Sequence, residues 1–141
     1  MKKIIYLLLI ISNFCFGQTL NWVKTFGGSG LDAARAMVVD NQGNVYTTGP
    51  FNTTVDFDPG SGVFLQSTIA SAGIFIQKLD SDGNFLWVKT IVSNGVNQSS
   101  FDIALDNQNN IVVTGYFTGT AYFDPSPNTY NLTITTTQQI F

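Results

Sequence analysis

The chain has 141 residues, of which 44% are hydrophobic and only 11% are charged, and its formal net charge at pH 7 is −3. It contains no histidine and no glutamate, which removes the residues that most often carry acid–base and metal chemistry. After the two N-terminal lysines, the chain contains four basic residues and nine aspartates, so it is acidic. No basic cluster exists that would suit nucleic acid as a partner.

Residues 1–17 have the features of a secretory signal peptide. A basic start and an apolar run, Ile4–Ile11, precede small residues at a predicted cut after Gly17. The apolar run is too short to span a bilayer, so no membrane span is expected after cleavage. Lipid modification of Cys15 is disfavoured because the residue before it is bulky. We therefore predict a secreted or cell-surface protein whose mature part has no cysteine and needs no disulfide.

Strands are predicted along the whole mature chain, with no sustained helical periodicity. Leu20–Phe26 is predicted as an outer strand and is followed by a glycine-rich connection. Three β-hairpins follow: Ala33–Val39 with Asn44–Phe51, Ile74–Leu79 with Phe85–Thr90, and Gln98–Leu105 with Asn110–Phe117. Two shorter strand pairs lie between or after them: Val55–Phe57 with Val63–Ser67, and Ala121–Phe123 with Tyr130–Thr135.

The three hairpin turns share one pattern, in which an aspartate is followed three residues later by glycine or asparagine: Asp40 and Gly43, Asp80 and Gly83, Asp106 and Asn109. Aspartate hydrogen-bonds the backbone two residues on, and glycine accepts a positive φ without steric cost. Asparagine tolerates the left-handed region best after glycine. We therefore expect Asn109 to adopt the same backbone conformation as the two glycines.

Matching residues recur along the chain at a long, nearly constant spacing. Trp87 follows Trp22 by 65 residues, and Gly115 follows Gly49 by 66. Phe57-Asp58-Pro59 recurs as Phe123-Asp124-Pro125, again 66 residues on. Self-similarity of this kind indicates a repeat architecture. The two tryptophans, the turn residues and the two glycines are therefore expected to be structural markers of the repeat.

Four main strands per repeat, arranged as two hairpins, is the layout of a β-propeller blade. Thr25–Phe51 followed by Phe75–Thr90 resembles the SBBP β-propeller repeats of large secreted proteins from Bacteroidetes-type bacteria. The resemblance covers nearly all of the mature chain. It implies a secreted propeller that is non-catalytic. No cofactor is expected, although Ca²⁺ stays open.

We therefore predict an all-β chain of four-stranded antiparallel blades in an incomplete propeller. Residues 18–141 would hold an outer strand at 20–26, a full blade at 33–90 and a partial blade at 98–141. Propellers close with about 4–8 blades, so the remaining blades would come from a longer chain or in trans. A fragment of a longer reading frame is the favoured interpretation, and the isolated chain would expose apolar strand edges.

The segment Asp56-Phe57-Asp58-Pro59 is the stretch closest to a metal site. Asp56 and Asp58 lie two apart and would share a strand face, where carboxylates could hold Ca²⁺. Only the second aspartate recurs, as Asp124, so a turn that caps backbone N–H groups is favoured over a metal site. The tryptophans could stack on carbohydrate, but their recurrence favours packing between blades.

Two hypotheses for function follow. The first is a secreted, non-catalytic interaction scaffold that binds an extracellular protein or a polysaccharide. The alternative is an aspartate-dependent hydrolase of the glycosidase type, which would use paired carboxylates. Catalytic residues occur once and break a repeat, and Asp32 and Asp56, which lack an aspartate at the equivalent position, are thin support for catalysis. The scaffold is therefore favoured, and no catalytic residue is assigned.

Overall fold

A computed structural model describes residues 19–70, 72–123, 130–135 and 138–141, so the predicted signal peptide lies outside it. The strands in chain order are β1 (Gly27–Gly28), β2 (Ala36–Val39), β3 (Val45–Phe51), β4 (Thr54–Asp56), β5 (Leu65–Ser67), β6 (Gly73–Leu79), β7 (Phe85–Ser93), β8 (Ser99–Leu105), β9 (Ile111–Phe117), β10 (Thr120–Tyr122), β11 (Asn131–Thr133) and β12 (Gln139–Ile140). The described part of the chain contains no helix long and apolar enough to cross a membrane.

The predicted fold class is confirmed: the described residues form strands and no helix, and the sheets are antiparallel and propeller-like. Sheet B has six strands in the order β11-β10-β7-β6-β3-β2. Sheet A has three strands, β1-β4-β5, and sheet C has three, β12-β9-β8. The up-and-down set β2-β3-β6-β7 is the four-stranded blade that the sequence predicts, and β8-β9-β12 begins a second one. Over the described residues the three sheets stay separate and do not close into a ring.

Each face of sheet B packs against other elements through one aromatic cluster. The first cluster holds Phe51, Val55, Phe57, Phe75 and Val88, with Phe26 packed against it. The second holds Ile74, Ile91, Phe117 and Ala121, with Phe123 and Phe141 packed against it. Phe51, Val55, Phe57 and Phe75 correspond to Phe117, Ala121, Phe123 and Phe141 at the repeat spacing. One interface is therefore built twice.

Ring geometry repeats along with residue identity. The Phe51 and Phe57 rings are 5.3 Å apart at 82°, and the Phe117 and Phe123 rings are 5.5 Å apart at 82°. Edge-to-face pairs of this kind stabilise a core beyond the area they bury. The two inter-sheet contacts thus have the same local packing as well as the same composition.

The expected conformation of Asn109 is confirmed. Its φ is 61°, beside 82° at Gly43 and 79° at Gly83. In each turn the residue at this position donates its N–H to the carbonyl oxygen of the turn aspartate, at 2.9–3.0 Å. The left-handed position is therefore filled by asparagine in the third turn without a change in turn geometry.

The strand predicted at Leu20–Phe26 is not observed. The first strand, β1, begins only at Gly27. The segment shows strand-like alternation, with Trp22, Lys24 and Phe26 half-buried and the residues between them exposed. Its inward side chains lie on the face of sheet B, and among the described residues no neighbouring strand pairs with its backbone. Phe26 contacts Phe75 edge-to-face at 5.4 Å.

The short strand pairs do not stay within their own repeat. Strand β10 pairs with β7 through Ala121 opposite Ser93, so β10 and β11 extend the sheet of the preceding blade. Strand β4 pairs with β1 in the equivalent way, through Val55 opposite Gly28. Each repeat is therefore joined to the outer strand of the repeat before it, which the blade boundaries in the sequence did not predict.

Candidate functional site

The aspartates of the three turns are fully engaged with their own turns. The Oδ1 atom of Asp40 accepts hydrogen bonds from the backbone N–H groups of Gln42 and Asn44, both at 2.9 Å. Its Oδ2 accepts a bond from the Asn44 side chain at 2.8 Å. Asp80 and Asp106 are bound in the same way, with closing asparagines four residues later. These closing asparagines recur at constant spacing, a signal that the sequence interpretation missed.

The hydrogen bonds keep these carboxylates ionised. Burial raises the pKa of Asp40, but bonds from Asn44, Gln42 and Tyr46 outweigh it and lower the pKa to about 2. Bonds from the closing asparagine lower the pKa of Asp80 and of Asp106 as well. Lys78 adds a cation near Asp40, with its Nζ 3.7 Å from Oδ2. The turn aspartates are therefore structural groups.

These shifts predict loss of stability in acid. A pKa of about 2 in the folded state, against 3.8 for the unperturbed group, means that Asp40 stabilises the fold fully above about pH 4. That contribution is lost as the pH falls through about 2. The thermal midpoint of unfolding should therefore decrease as the pH is lowered from 4 to 2. This decrease should be smaller in the Asp40→Asn variant. Asp82→Asn is the control, because its carboxylate accepts no hydrogen bond among the described residues; an equal change in slope would contradict the assignment.

Asp56 and Asp58 act as backbone caps. The Oδ1 atom of Asp56 accepts the N–H groups of Asp58 at 3.1 Å and of Phe64 at 2.8 Å. Asp58 accepts the N–H of Gly60 at 2.7 Å. Asp124 lies outside the described residues. No group of three acidic or otherwise metal-ligating side chains occurs in the part of the chain that the structure describes. This geometry supports the turn interpretation of the segment.

The paired carboxylates of the hydrolase hypothesis are also occupied. Asp32 accepts the N–H of Gly28 at 2.8 Å through Oδ2 and that of Asn52 at 3.1 Å through Oδ1. Asp56 holds the β4–β5 loop, as described above. Each carboxylate thus anchors main chain, and no observation favours hydrolysis.

The two tryptophans lie against neighbouring elements. Trp22 donates its indole N–H to the carbonyl oxygen of Ser81 at 2.9 Å, which places it on the β6–β7 turn. Trp87 contacts the ring of Tyr46 at 6.1 Å in an edge-to-face arrangement. Both side chains are half-buried. Their surroundings are those of packing residues.

A cleft between the two repeats is the feature that most resembles a binding site. It consists of adjoining cavities of about 390 and 280 Å³, and both are lined by Arg35 and Tyr116. The larger one also reaches Asp32 and Gln98. The smaller one reaches Ser100 and Phe101. We call these six residues the inter-repeat cleft.

The residues of the inter-repeat cleft differ between the two repeats. At the repeat spacing Arg35 corresponds to Phe101, and Pro50 corresponds to Tyr116. Asp32 corresponds to Gln98 in the same way. The turns and the core clusters, by contrast, keep most of their residues. The start of the first strand in each repeat has therefore diverged more than the turns and the core clusters.

A β-bulge at Phe101 shapes one wall of the cleft. The ladder between β8 and β9 pairs Ser100 with Gly115 and then Asp102 with Thr114, which leaves Phe101 unpaired. Its ring lies 5.4 Å from that of Tyr116 and is 55% exposed. Bulges are frequent beside functional sites because they redirect a side chain. Here the bulge presents two aromatic rings at the surface.

Two buried polar atoms in the cleft have no hydrogen-bond partner among the described residues. Gln98 donates its side-chain N–H to the carbonyl oxygen of Ala72, but its Oε1 accepts no hydrogen bond from any described residue. The Ser100 hydroxyl is fully buried and also unpaired within the described residues. Unsatisfied buried polar groups cost free energy, so each calls for an explanation such as a bound group. Arg35 forms no ion pair with any described residue.

Comparison with known proteins agrees with a repeat architecture. The chain is 30% identical over 114 residues to an uncharacterised WD repeat-containing protein of Acanthamoeba polyphaga mimivirus. The aligned segment covers 71% of this chain but only 8% of the relative's length. The chain therefore spans a small part of that protein. No family model matches, and no solved structure matches significantly. The chain is thus similar to a small part of a WD repeat-containing protein, a class of propeller-type repeat proteins.

Proposed function

We propose that this chain is part of a non-catalytic propeller scaffold that binds a partner protein through the inter-repeat cleft. The observation that carries the proposal is the concentration of repeat-breaking residues, unpaired polar atoms and exposed aromatic rings in one place. Arginine, tyrosine and other aromatic side chains dominate the binding energy of protein interfaces. Arg35, Phe101 and Tyr116 form such a group.

We further propose that the scaffold is secreted and of the SBBP type. The leader-like features of residues 1–17, with a cut after Gly17, support export. The match of Thr25–Phe51 and Phe75–Thr90 to the SBBP pattern supports that family. The remaining blades would come from a longer chain or in trans. A cell-surface polysaccharide is the other ligand class that the cleft could hold.

A photo-crosslinking experiment tests the cleft. A benzophenone amino acid would replace Phe101 in the full chain, expressed in the native host, with the same substitution at exposed Lys89 as the control. The expected result is a protease-sensitive crosslinked adduct at position 101. Adding Arg35→Ala should lower the yield of this adduct at least tenfold, which corresponds to a loss of about 1.4 kcal/mol of binding free energy. Equal adducts at both positions would refute the cleft. A protease-resistant, glycan-containing adduct would reassign the ligand to polysaccharide.

A further inference from the structure

The larger cavity of the inter-repeat cleft contains a buried acceptor that calls for a donor. Gln98 is almost fully buried, and its side-chain amide faces the carbonyl oxygen of Ala72. Because a carbonyl oxygen only accepts hydrogen bonds, the nitrogen of the amide must lie on that side. The Oε1 atom is therefore the unpaired one among the described residues. A group that satisfies it must bring an N–H or an O–H.

The first repeat shows that the fold does not require this acceptor. Asp32, which corresponds to Gln98, accepts the N–H groups of Gly28 and Asn52 and so holds its own loop in place. The side-chain oxygen of Gln98 holds no loop N–H among the described residues. At this position the second repeat therefore has a buried acceptor that lines a cavity, where the first repeat has a loop anchor.

The hydroxyl of Ser100 is a second polar group that the fold does not require. The side chain is fully buried, lines the smaller cavity and has no hydrogen-bond partner among the described residues. It corresponds to Ala34 at the repeat spacing, so the same place in the first repeat holds a methyl group. A buried hydroxyl without a partner destabilises a protein. A bound polar group would offset that effect.

Arg35 determines the charge that a ligand should carry. It is exposed, lines both cavities and forms no ion pair with any described residue. The carboxylate that lines the cleft, Asp32, has each oxygen engaged with a backbone N–H. A guanidinium has five donors in a planar fork and no acceptor, and a carboxylate matches that fork with two parallel bonds. An acidic group is therefore the best complement of Arg35.

The smaller cavity adds an apolar surface. It is lined by Phe101 and Tyr116, whose rings lie 5.4 Å apart at 38°. Arg35 lies where the two cavities adjoin, because it lines both of them. A ligand that fills the cleft must therefore present a hydrogen-bond donor, an acid and an apolar group along one short stretch.

We infer that the ligand of the inter-repeat cleft is an extended peptide segment of the partner, with an acidic side chain close to an apolar one. The acidic side chain pairs with Arg35, and a main-chain N–H donates to Oε1 of Gln98. The apolar side chain packs on Phe101 and Tyr116. This inference rests on the proposed function, because it requires the cleft to be the binding site.

An extended peptide carries these three groups at a suitable spacing. Each residue other than proline has a main-chain N–H, and side chains on the same face are about 6.6 Å apart. The required groups therefore occur within about three residues of one strand. A neutral polysaccharide has hydroxyl donors for Gln98 but no charge for Arg35, so the peptide is the better match.

Thermal melts of two adjacent serine variants test whether the Ser100 hydroxyl serves the ligand or the fold. Ser100→Ala should leave the thermal midpoint unchanged or raise it, because no hydrogen bond of the free protein is lost. Ser99→Ala is the matched control, since Ser99 is buried and its hydroxyl donates to the carbonyl oxygen of Ser100 at 3.0 Å. Its midpoint should fall by about 4 °C. An equal fall in both variants would make the Ser100 hydroxyl structural and contradict the inference.

Selection from a random heptapeptide library tests the chemistry of the ligand. Panned against the immobilised full chain, the library should be enriched in peptides with an aspartate or glutamate within two residues of an apolar residue. The enrichment should be lost with Arg35→Ala and kept with Lys89→Ala, which removes an exposed cation outside the cleft.

Titration of one selected peptide then measures the contacts. Replacing its acid by the matching amide should weaken binding to the wild-type chain about tenfold and leave binding to the Arg35→Ala variant nearly unchanged. Ser100→Ala should weaken binding of the parent peptide by about fivefold. Equal loss on both chains when the acid is removed would refute its pairing with Arg35.

The remaining outcomes separate this inference from the proposed function. No enrichment, or enrichment that persists with Arg35→Ala, would overturn the peptide chemistry. If a protease-sensitive adduct still forms at position 101, the cleft binds its partner in another way and the proposed function stands. Failure of both experiments would refute the cleft itself. Displacement of the selected peptide by dextran, a neutral polysaccharide, would reassign the ligand to carbohydrate.

Discussion

Replacing Phe51 with alanine should lower the free energy of unfolding by about 3–5 kcal/mol. The side chain is fully buried at the centre of the first aromatic cluster. Its ring contacts Phe57 edge-to-face, and that pairing is lost together with the buried area. Since small domains are stable by only about 5–15 kcal/mol, the variant should unfold at a much lower urea concentration.

Phe117→Ala should lower the free energy of unfolding by a similar amount, because Phe117 occupies the equivalent place in the second cluster. Phe101→Ala is the control: its ring is largely exposed at the bulge, so the loss should be within about 0.5 kcal/mol. Urea unfolding at one fixed protein concentration measures all three. A small effect at Phe117 beside a large one at Phe51 would show that the second interface is not formed.

Gly49→Ala should also destabilise the fold strongly, by about 2–3 kcal/mol. A Cβ atom at Gly49 would overlap the carbonyl oxygen of Ala33 and approach the Phe75 ring to 3.2 Å. The position lies in β3, between β2 and β6, so neither neighbouring strand can move away cheaply. The glycine is required by the close approach of the Ala33 carbonyl group, in the segment that leads into β2, rather than by its φ.

Gly115→Ala should act in the same direction, since its Cβ would overlap the carbonyl oxygen of Ser99 and lie 2.8 Å from the Phe141 ring. Gly60→Ala is the matched control, because the nearest atom there, 3.0 Å away, belongs to the flexible Asp58 side chain. Thermal melts of the three variants would compare them. Tolerance of alanine at both strand positions would mean that the inner strands do not approach as closely as described.

The sequence was most informative where local chemistry decides the structure. The Asp-x-x-Gly pattern predicted the turns and the left-handed φ at Asn109, because backbone sterics admit few residues there. The spacing of Phe57 and Phe123 indicated a repeat architecture. Alternation of apolar residues located ten of the twelve strands, although several boundaries moved by one to three residues.

Long-range pairing was not accessible from the sequence. The short pair β10–β11 could join its own blade or the blade before it, and the residues of Ala121–Phe123 favour neither. Leu20–Phe26 was predicted as a strand from its composition, but a strand also requires a partner that composition cannot supply. The same limit applies to the inter-repeat cleft, whose residues come from separate strands and are unremarkable one by one.

The candidate site was predicted least well for a related reason. Asp56 and Asp58 attracted attention because two carboxylates lie close in sequence, yet both cap backbone N–H groups. The informative signal lay in the differences between repeats, such as Arg35 against Phe101. Residues shared by both repeats build the frame, whereas residues that differ at equivalent positions mark where a repeat protein can acquire binding specificity.

The most direct test of this account is a nuclear Overhauser measurement across the joints between repeats. In the isotopically labelled protein, cross-strand signals should connect Ser93 with Ala121 and, equivalently, Gly28 with Val55. Both contacts follow from one rule, that each repeat adds its short strand pair to the outer strand of the preceding repeat. Observation of both would establish the repeated joint; signals that place β10 against its own blade instead would contradict it.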